Sequence, residues 1–380
     1  MSKRRYQNNN NDIAKSRSVP SFLFLFMLIS LFFISMPATY AQQVTGTIQG
    51  RLLDAADKKP LPSANIYLSN TTFGATSSPG GSFEIKNIPP GNYTLVFRFI
   101  GYNQYSMPVE IREDDVLNVG TVSIEPDLVQ LEDLSVKGRR SKEWERNLKD
   151  FETAFLGSSS NAEKTEIKNP EIINFSKDPD TNNLVADAAD ELRIVNEALG
   201  YEIFITLSFF SWSIRNDAGR YFYTARFEEL EPANEKQRVL WHEKREITYI
   251  GSFRHFLKSL AEGETDNTFH YTNGYIEPVE ELAAAEGEPD LIKKLFTRLI
   301  QAENDELEFR IIRHRTDSPL KIRYRGARRY ESEIEPKHDD YLYIDRFGNL
   351  LNPENIIFSG FWSNYRMADF LPYNYVPEDQ

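Results

Sequence analysis

The chain of 380 residues contains no cysteine. Disulfides, thiol catalysis and cysteine-based metal sites are therefore excluded, as is the lipidated cysteine that anchors a bacterial lipoprotein. Histidine is scarce, with five in all. Zinc catalysis needs imidazole and carboxylate ligands converging on one ion with a position left open. A helical His-Glu-x-x-His motif is missing, because His242-Glu243 is followed by Glu246 where the second histidine belongs. Phosphate loops of the Gly-x-x-x-x-Gly-Lys type and Gly-x-Ser-x-Gly nucleophile elbows do not occur either. Beyond Gln43 no apolar run is long enough to span a bilayer as a helix.

Basic residues are also in the minority, 44 against 57 acidic ones. Met1 to Ser18 is polar and holds Lys3, Arg4, Arg5, Lys15 and Arg17, and Phe22 to Met36 is almost wholly apolar. Thr39 and Ala41 are small residues where a signal peptidase reads. Residues 1–41 are accordingly expected to be a signal peptide cleaved after Ala41, exporting a protein to the periplasm or the outer membrane. The remaining chain carries 39 basic and 56 acidic residues, a net charge of −17. That balance argues against nucleic acid or an anionic lipid surface as partner.

Between Gly46 and Pro126 the pattern has a period of two. Tyr93, Leu95, Phe97 and Phe99 share one face, Phe83 and Ile85 alternate with Glu84 and Lys86, and Ile66 and Leu68 alternate with Asn65 and Tyr67. This is the signature of half-buried strands. Turn residues punctuate them at Asp57-Lys58-Lys59-Pro60, Ser77-Ser78-Pro79-Gly80-Gly81 and Pro89-Pro90-Gly91-Asn92. Six or seven short strands so closely spaced predict a β-sandwich.

Gly50-Arg51-Leu52-Leu53-Asp54, Pro60-Leu61-Pro62-Ser63-Ala64-Asn65-Ile66, Gly81-Ser82-Phe83-Glu84-Ile85, Ile88-Pro89-Pro90-Gly91-Asn92-Tyr93-Thr94-Leu95 and Ile100-Gly101-Tyr102 follow in order. Together they resemble the carboxypeptidase regulatory-like domain, a transthyretin-like β-sandwich common in exported Bacteroidetes proteins. The resemblance covers residues 44–126. Ser77 and Ser78 follow Thr76 where that family usually has an aspartate.

The family accompanies zinc carboxypeptidases, whose ligand motif puts a glutamate three residues after a histidine. Here that offset holds Arg245, Lys258, Asn273, Asp317 and Tyr341 after His242, His255, His270, His314 and His338, so no zinc cofactor and no such enzyme is expected. The domain also precedes large TonB-dependent barrels, and Leu131-Glu132-Asp133-Leu134-Ser135-Val136 resembles the segment that follows it there. The residues after 140 are too few for such a barrel and contain helical patterns.

Residues 127–142 read as a charged linker, and residues 143–380 as an α+β domain. Trp144, Leu148, Phe151 and Phe155 lie on one helix face. Strands are expected near Ile172–Phe175, Leu184–Ala188, Leu192–Val195, Tyr201–Phe210 and Tyr221–Phe227, with a turn at Asn196 to Gly200. A helix is expected within Glu235 to Glu262 and another at Leu291 to Ala302. Glu308–Ile312 and Lys321–Tyr324 read as a hairpin, and Tyr341–Ile344 as a further strand. With Trp144-Glu145-Arg146, Asn196-Glu197-Ala198-Leu199-Gly200-Tyr201 and Gly360-Phe361-Trp362-Ser363, this part looks like the C-terminal half of Bacteroidetes proteins named only for their regulatory-like domain. That resemblance implies no activity.

Two features of residues 143–380 invite a chemical reading. Asp178, Asp180 and Asn182 place oxygens at alternate positions as a calcium loop would, but Asn183 replaces its glycine and Ala189 its bidentate carboxylate. They are read as an ordinary hairpin tip between strands. At ~100° per residue, Arg245, Ser252 and His255 fall on one flank of the Glu235–Glu262 helix beside Tyr249. The stripe would bind a carboxylate, a sugar or a peptide end, or else cap a sheet edge or pair with acidic groups of its own domain. Acidic pairs such as Glu228-Glu229, Glu280-Glu281 and Asp339-Asp340 read as solvated surface. The expectation is a non-catalytic exported protein with an envelope protein or glycan as partner. An envelope hydrolase with its site in residues 140–380 is the alternative.

Overall fold

Alternating residues do form short strands. In the computed structural model these are β1 (Gly46–Asp54), β2 (Asn65–Leu68), β3 (Gly74–Thr76), β4 (Ser82–Ile88), β5 (Gly91–Arg98), β6 (Tyr105–Ile111) and β7 (Val116–Ile124). The structure describes residues 45–127, 141–263, 265–278, 310–314, 319–326, 330–337, 341–344, 348–350 and 353–377. The expected signal peptide, most of the linker, the helix at 291–302 and the acidic pairs at 280–281 and 339–340 lie outside those residues. Two sheets, ordered β4-β1-β7 and β3-β2-β5-β6, face each other. Between them Ile48, Leu52, Ile66, Phe83, Leu95 and Phe97 form a buried core. All pairings are antiparallel except β1 with β7.

Turn chemistry holds the sandwich closed. The Ser77 hydroxyl accepts the Ala64 N–H at 2.9 Å and donates to the Leu61 carbonyl at 2.6 Å, and Ser78 Oγ accepts the Ser82 N–H at 3.1 Å. The two serines thus hold this turn through their own hydroxyls. Tyr102 Oη donates to Asp54 Oδ2 at 2.6 Å, tying the last motif to the first. This bond lowers the Asp54 pKa and pushes that of Tyr102 up to about 12.

The outer face of β2 and β5 departs from the alternation. Tyr67 and Val96 point away from the sandwich core, yet both are fully buried. Tyr67 Oη lies 3.4 Å from Thr224 Oγ1, which belongs to the second half of the chain. The turn after β2 also pairs there through main-chain bonds, Asn70 N–H to Ala225 O (2.7 Å) and Phe227 N–H to Thr71 O (3.0 Å). Arg98 pairs with Asp190 and lies 3.6 Å from Glu191. Val44–Gln380 is accordingly one compact unit with three hydrophobic cores among the described residues.

The second core lies under a six-stranded antiparallel sheet. Its strands are β8 (Thr165–Ile167), β9 (Ile173–Lys177), β10 (Leu184–Ala188), β11 (Leu192–Asn196), β12 (Tyr201–Ser213) and β13 (Ala218–Glu229). The order is β8-β11-β12-β10-β9, with β13 along the other side of β12. Helix α1 (Lys142–Leu156) covers one face, capped by Ser141, whose hydroxyl accepts the Trp144 N–H. Phe151 and Phe155 enter the core against Phe210, while the Trp144 indole N–H donates to Ile173 O at 2.9 Å. At the β9–β10 tip Asp178 Oδ1 accepts the N–H groups of Asp180 and Thr181 and the Thr181 hydroxyl. One carboxylate oxygen thus serves the turn itself.

The third core gathers around helix α3 (Phe253–Glu262), which follows α2 (Glu235–Tyr249) and precedes the short α4 (Thr265–Thr268). One sheet is β14-β17-β18-β20, built from Phe269–Thr272, Leu320–Tyr324, Glu331–Pro336 and Ile356–Gly360. Another is β15-β16-β19, built from Gly274–Pro278, Arg310–His314 and Tyr341–Ile344. The expected hairpin of 308–312 with 321–324 is not formed, since β16 and β17 belong to different sheets. Leu320 and Ile322 are buried with Phe256, Phe269 and Ile334, and β17 pairs with β14 and β18, whereas β16 pairs with β15 and β19.

Candidate functional site

The single helix expected over Glu235–Glu262 is two helices. Gly251 takes φ +77°, a left-handed conformation that glycine adopts without steric cost, and ends the first. Ser252 starts the second as N-cap, its hydroxyl accepting the His255 N–H at 3.1 Å. The dipeptide Gly251-Ser252 carried this stop and start signal. The break removes the common stripe on which the four candidate residues were placed.

Arg245 lies on α2 and reaches the β11–β12 turn. Its guanidinium donates to Leu199 O (2.7 Å), Gly200 O (3.1 Å) and Glu229 Oε2 (3.3 Å), and it stacks 4.0 Å over the Tyr201 ring. Tyr249, Ser252 and His255 gather at the helix break. The Tyr249 and His255 rings are 5.0 Å apart, and His255 Nδ1 accepts the Gly251 N–H at 3.0 Å. Burial pushes the Tyr249 pKa up to about 12 and that of His255 down to about 4. All four residues are thus engaged with their own chain, and Tyr249 and Ser252 also line a cavity.

That cavity was not legible in sequence. It measures about 1020 Å³ and runs from the β12–β13 hairpin to the helix break and the segment after β20. Aromatic rings dominate its wall, among them Phe209, Phe222, Tyr223, Phe253, Trp362 and Phe370. Its charged groups are largely spoken for. Arg254 donates to Gly348 O and Tyr373 O, both at 2.9 Å, and Arg366 to the carbonyls of Ser363 and Tyr365. Asp369 Oδ1 accepts Ser159 Oγ–H at 2.8 Å and Asn161 Nδ2–H at 2.9 Å. Among the described residues no group of three or more His, Asp or Glu is placed to hold a metal ion.

Asp369 is buried, and burial raises its pKa despite the lowering effect of its hydrogen bonds. A carboxyl whose folded pKa is raised contributes stability below its unfolded pKa and loses it as pH rises through the folded value. Asp369→Asn keeps the accepting oxygen and removes the buried charge. It is expected to raise the melting temperature at pH 7 and to leave it nearly unchanged at pH 3. Equal destabilisation at both pH values would contradict this account.

Comparison with known proteins bears on the first half of the chain. Residues 48–136 match the CarboxypepD_reg-like domain family. They are a carboxypeptidase regulatory-like domain. The regulatory-like domain is a transthyretin-like β fold, and the chain as a whole is predominantly β with few helices. The chain is 27% identical over 115 residues to the TonB-dependent receptor P39 of Formosa agariphila, covering 30% of this chain and 10% of that protein. It therefore spans about a tenth of the length of this curated relative. Among solved structures, one chain of a type II cohesin–X-dockerin complex from Acetivibrio cellulolyticus is similar at 21% identity and a TM-score of 0.18, over 21% of this chain and 56% of that one. The minor pilin GBS52 of Streptococcus agalactiae is similar at 17% identity and a TM-score of 0.19, over 26% of this chain and 49% of the pilin.

Proposed function

We propose that this is an exported, non-catalytic protein of the cell envelope, in which the regulatory-like domain is joined to an α+β domain that binds a protein or glycan partner. The observation that carries the reading is the aromatic cavity, in which Arg254, Arg366 and Asp369 are bound to main-chain and side-chain partners of their own chain. Such a wall offers apolar and stacking surface to a ligand. The basic and apolar segments of residues 1–36 support export. The likeness of 115 residues of this chain to a TonB-dependent receptor supports an envelope location. No helix among the described residues is long and apolar enough to cross a membrane.

The test is a photo-crosslinking amino acid placed at Phe222, which lines the cavity and is 38% exposed. In living cells an adduct is expected from this position and not from Ile100, which is 84% exposed on the sandwich. Hydrolysis of peptide, ester or glycoside substrates by the purified protein, abolished by Asp369→Asn, would replace this reading with the hydrolase.

A further inference from the structure

The cavity wraps a strand edge. Every residue from Ala218 to Tyr223 of β13 lines it. Successive strand residues point to opposite faces of a sheet. A cavity bordered by six in a row therefore runs along the edge of the strand, not over one face. β13 pairs with β12 on one side only.

The opposite side of β13 is already used where the sandwich reaches it. Ala225 O and Phe227 N–H point away from β12 and bond to Asn70 and Thr71, in a parallel bridge between Thr71 and Arg226. Outward main-chain groups recur at every second residue of an antiparallel strand. The same edge is thus presented by Gly219, Tyr221 and Tyr223, and no described residue pairs with it there. An unpaired edge of this kind is a template for another extended backbone.

We propose that a partner peptide in extended conformation adds to β13 along Gly219–Tyr223, continuing the parallel pairing that the Asn70–Thr71 segment begins. This rests on the binding reading above and narrows the partner to a polypeptide. Strand addition supplies affinity through the main chain and selectivity through alternate side chains. On one face, alternate peptide residues meet Phe209 and Phe222, 37% and 38% exposed with ring centroids 5.8 Å apart. Arg220 stands beside them, its guanidinium 5.5 Å over the Phe209 ring and without an ion pair among the described residues. In this parallel direction, an acidic residue followed two positions later by an apolar one is the pattern this face takes.

The experiment selects ten-residue peptides from a random displayed library against the whole protein, with the Phe222→Asp variant as counter-target. Enriched peptides are expected to carry an acidic residue, and to slow amide exchange at Tyr221 and Tyr223 when the synthetic peptide is added. Methylating alternate peptide nitrogens is expected to weaken binding about ten-fold or more, the loss of one or more main-chain bonds. Arg220→Glu is expected to remove the preference for acid and keep the exchange protection. Binding that tolerates N-methylation, or that leaves Tyr221 and Tyr223 unprotected, overturns strand addition. So does protection of both amides in the ligand-free protein, which would mean that the chain covers its own edge. If no peptide is enriched while the Phe222 crosslink still forms in cells, strand addition falls and the binding function stands.

Discussion

Replacing Gly200 by alanine is expected to destabilise the protein by about 3 kcal/mol, from a strained backbone and an overpacked contact together. Gly200 sits at φ +71° in the β11–β12 turn. A β-carbon there would lie 2.3 Å from Trp241 Cδ2 and 2.5 Å from its Cε3. The indole has no room to retreat, since Trp241 is buried and its N–H donates to Glu197 O at 2.7 Å. Nor does the turn move freely, because Gly200 O accepts both Arg245 Nη2 and the Leu230 N–H. Gly101 is the control, with φ +79° and nothing within 4 Å of the added carbon. There alanine carries only the backbone term, about 1–2 kcal/mol. Urea unfolding of the two variants measures the difference. Equal losses would show that Trp241 yields and that the close contact is not structural.

Acidification is expected to cost the protein about 3 kcal/mol through His255 alone, from a pKa near 4 in the fold against ~6.5 unfolded. The direction follows from the ring's role. Nδ1 accepts the Gly251 N–H, so a proton on that nitrogen would eject its partner from a buried site. Tyr249, Phe269 and Tyr324 surround the ring at 5.0–5.7 Å, and Glu262 opposes the lowering only weakly. A depressed pKa makes the folded state bind fewer protons than the unfolded chain. Its contribution is therefore complete above pH ~6.5 and is lost as pH falls through about 4. Denaturant unfolding at pH 7 and pH 4.5 should show a steeper loss for the native protein than for His255→Gln. An imidazole signal that titrates near 6.5 would sink the prediction.

The turn residues and the strands they separate were legible because their cause is local. Period-two alternation and the serine-rich turn at 77–78 act within a few residues, as do the Ser141 and Ser252 caps. The helix face of Phe151 and Phe155 was legible for the same reason. The break at Gly251-Ser252 was written just as locally and was masked by the apolar periodicity that runs across it.

Pairing and burial are a different matter. Nothing near Tyr67 in the chain says that its outward side chain is covered, because Thr224 lies 157 residues away. Asn196 looks like a turn residue, and its side-chain Oδ1 does accept the Ala198 and Leu199 N–H groups. Its amide also holds Ala368 O, 172 residues on, at a fully buried position. β16 and β17 are neighbours in sequence, yet they join different sheets, and strands of both sheets contribute to one core. Likewise the stripe of Arg245, Tyr249, Ser252 and His255 came from helical spacing, whereas the cavity is enclosed by segments from Asn70 to Tyr373. Main-chain and apolar contacts between distant segments form only when chain topology brings them together, so residue order and local periodicity carry no record of them.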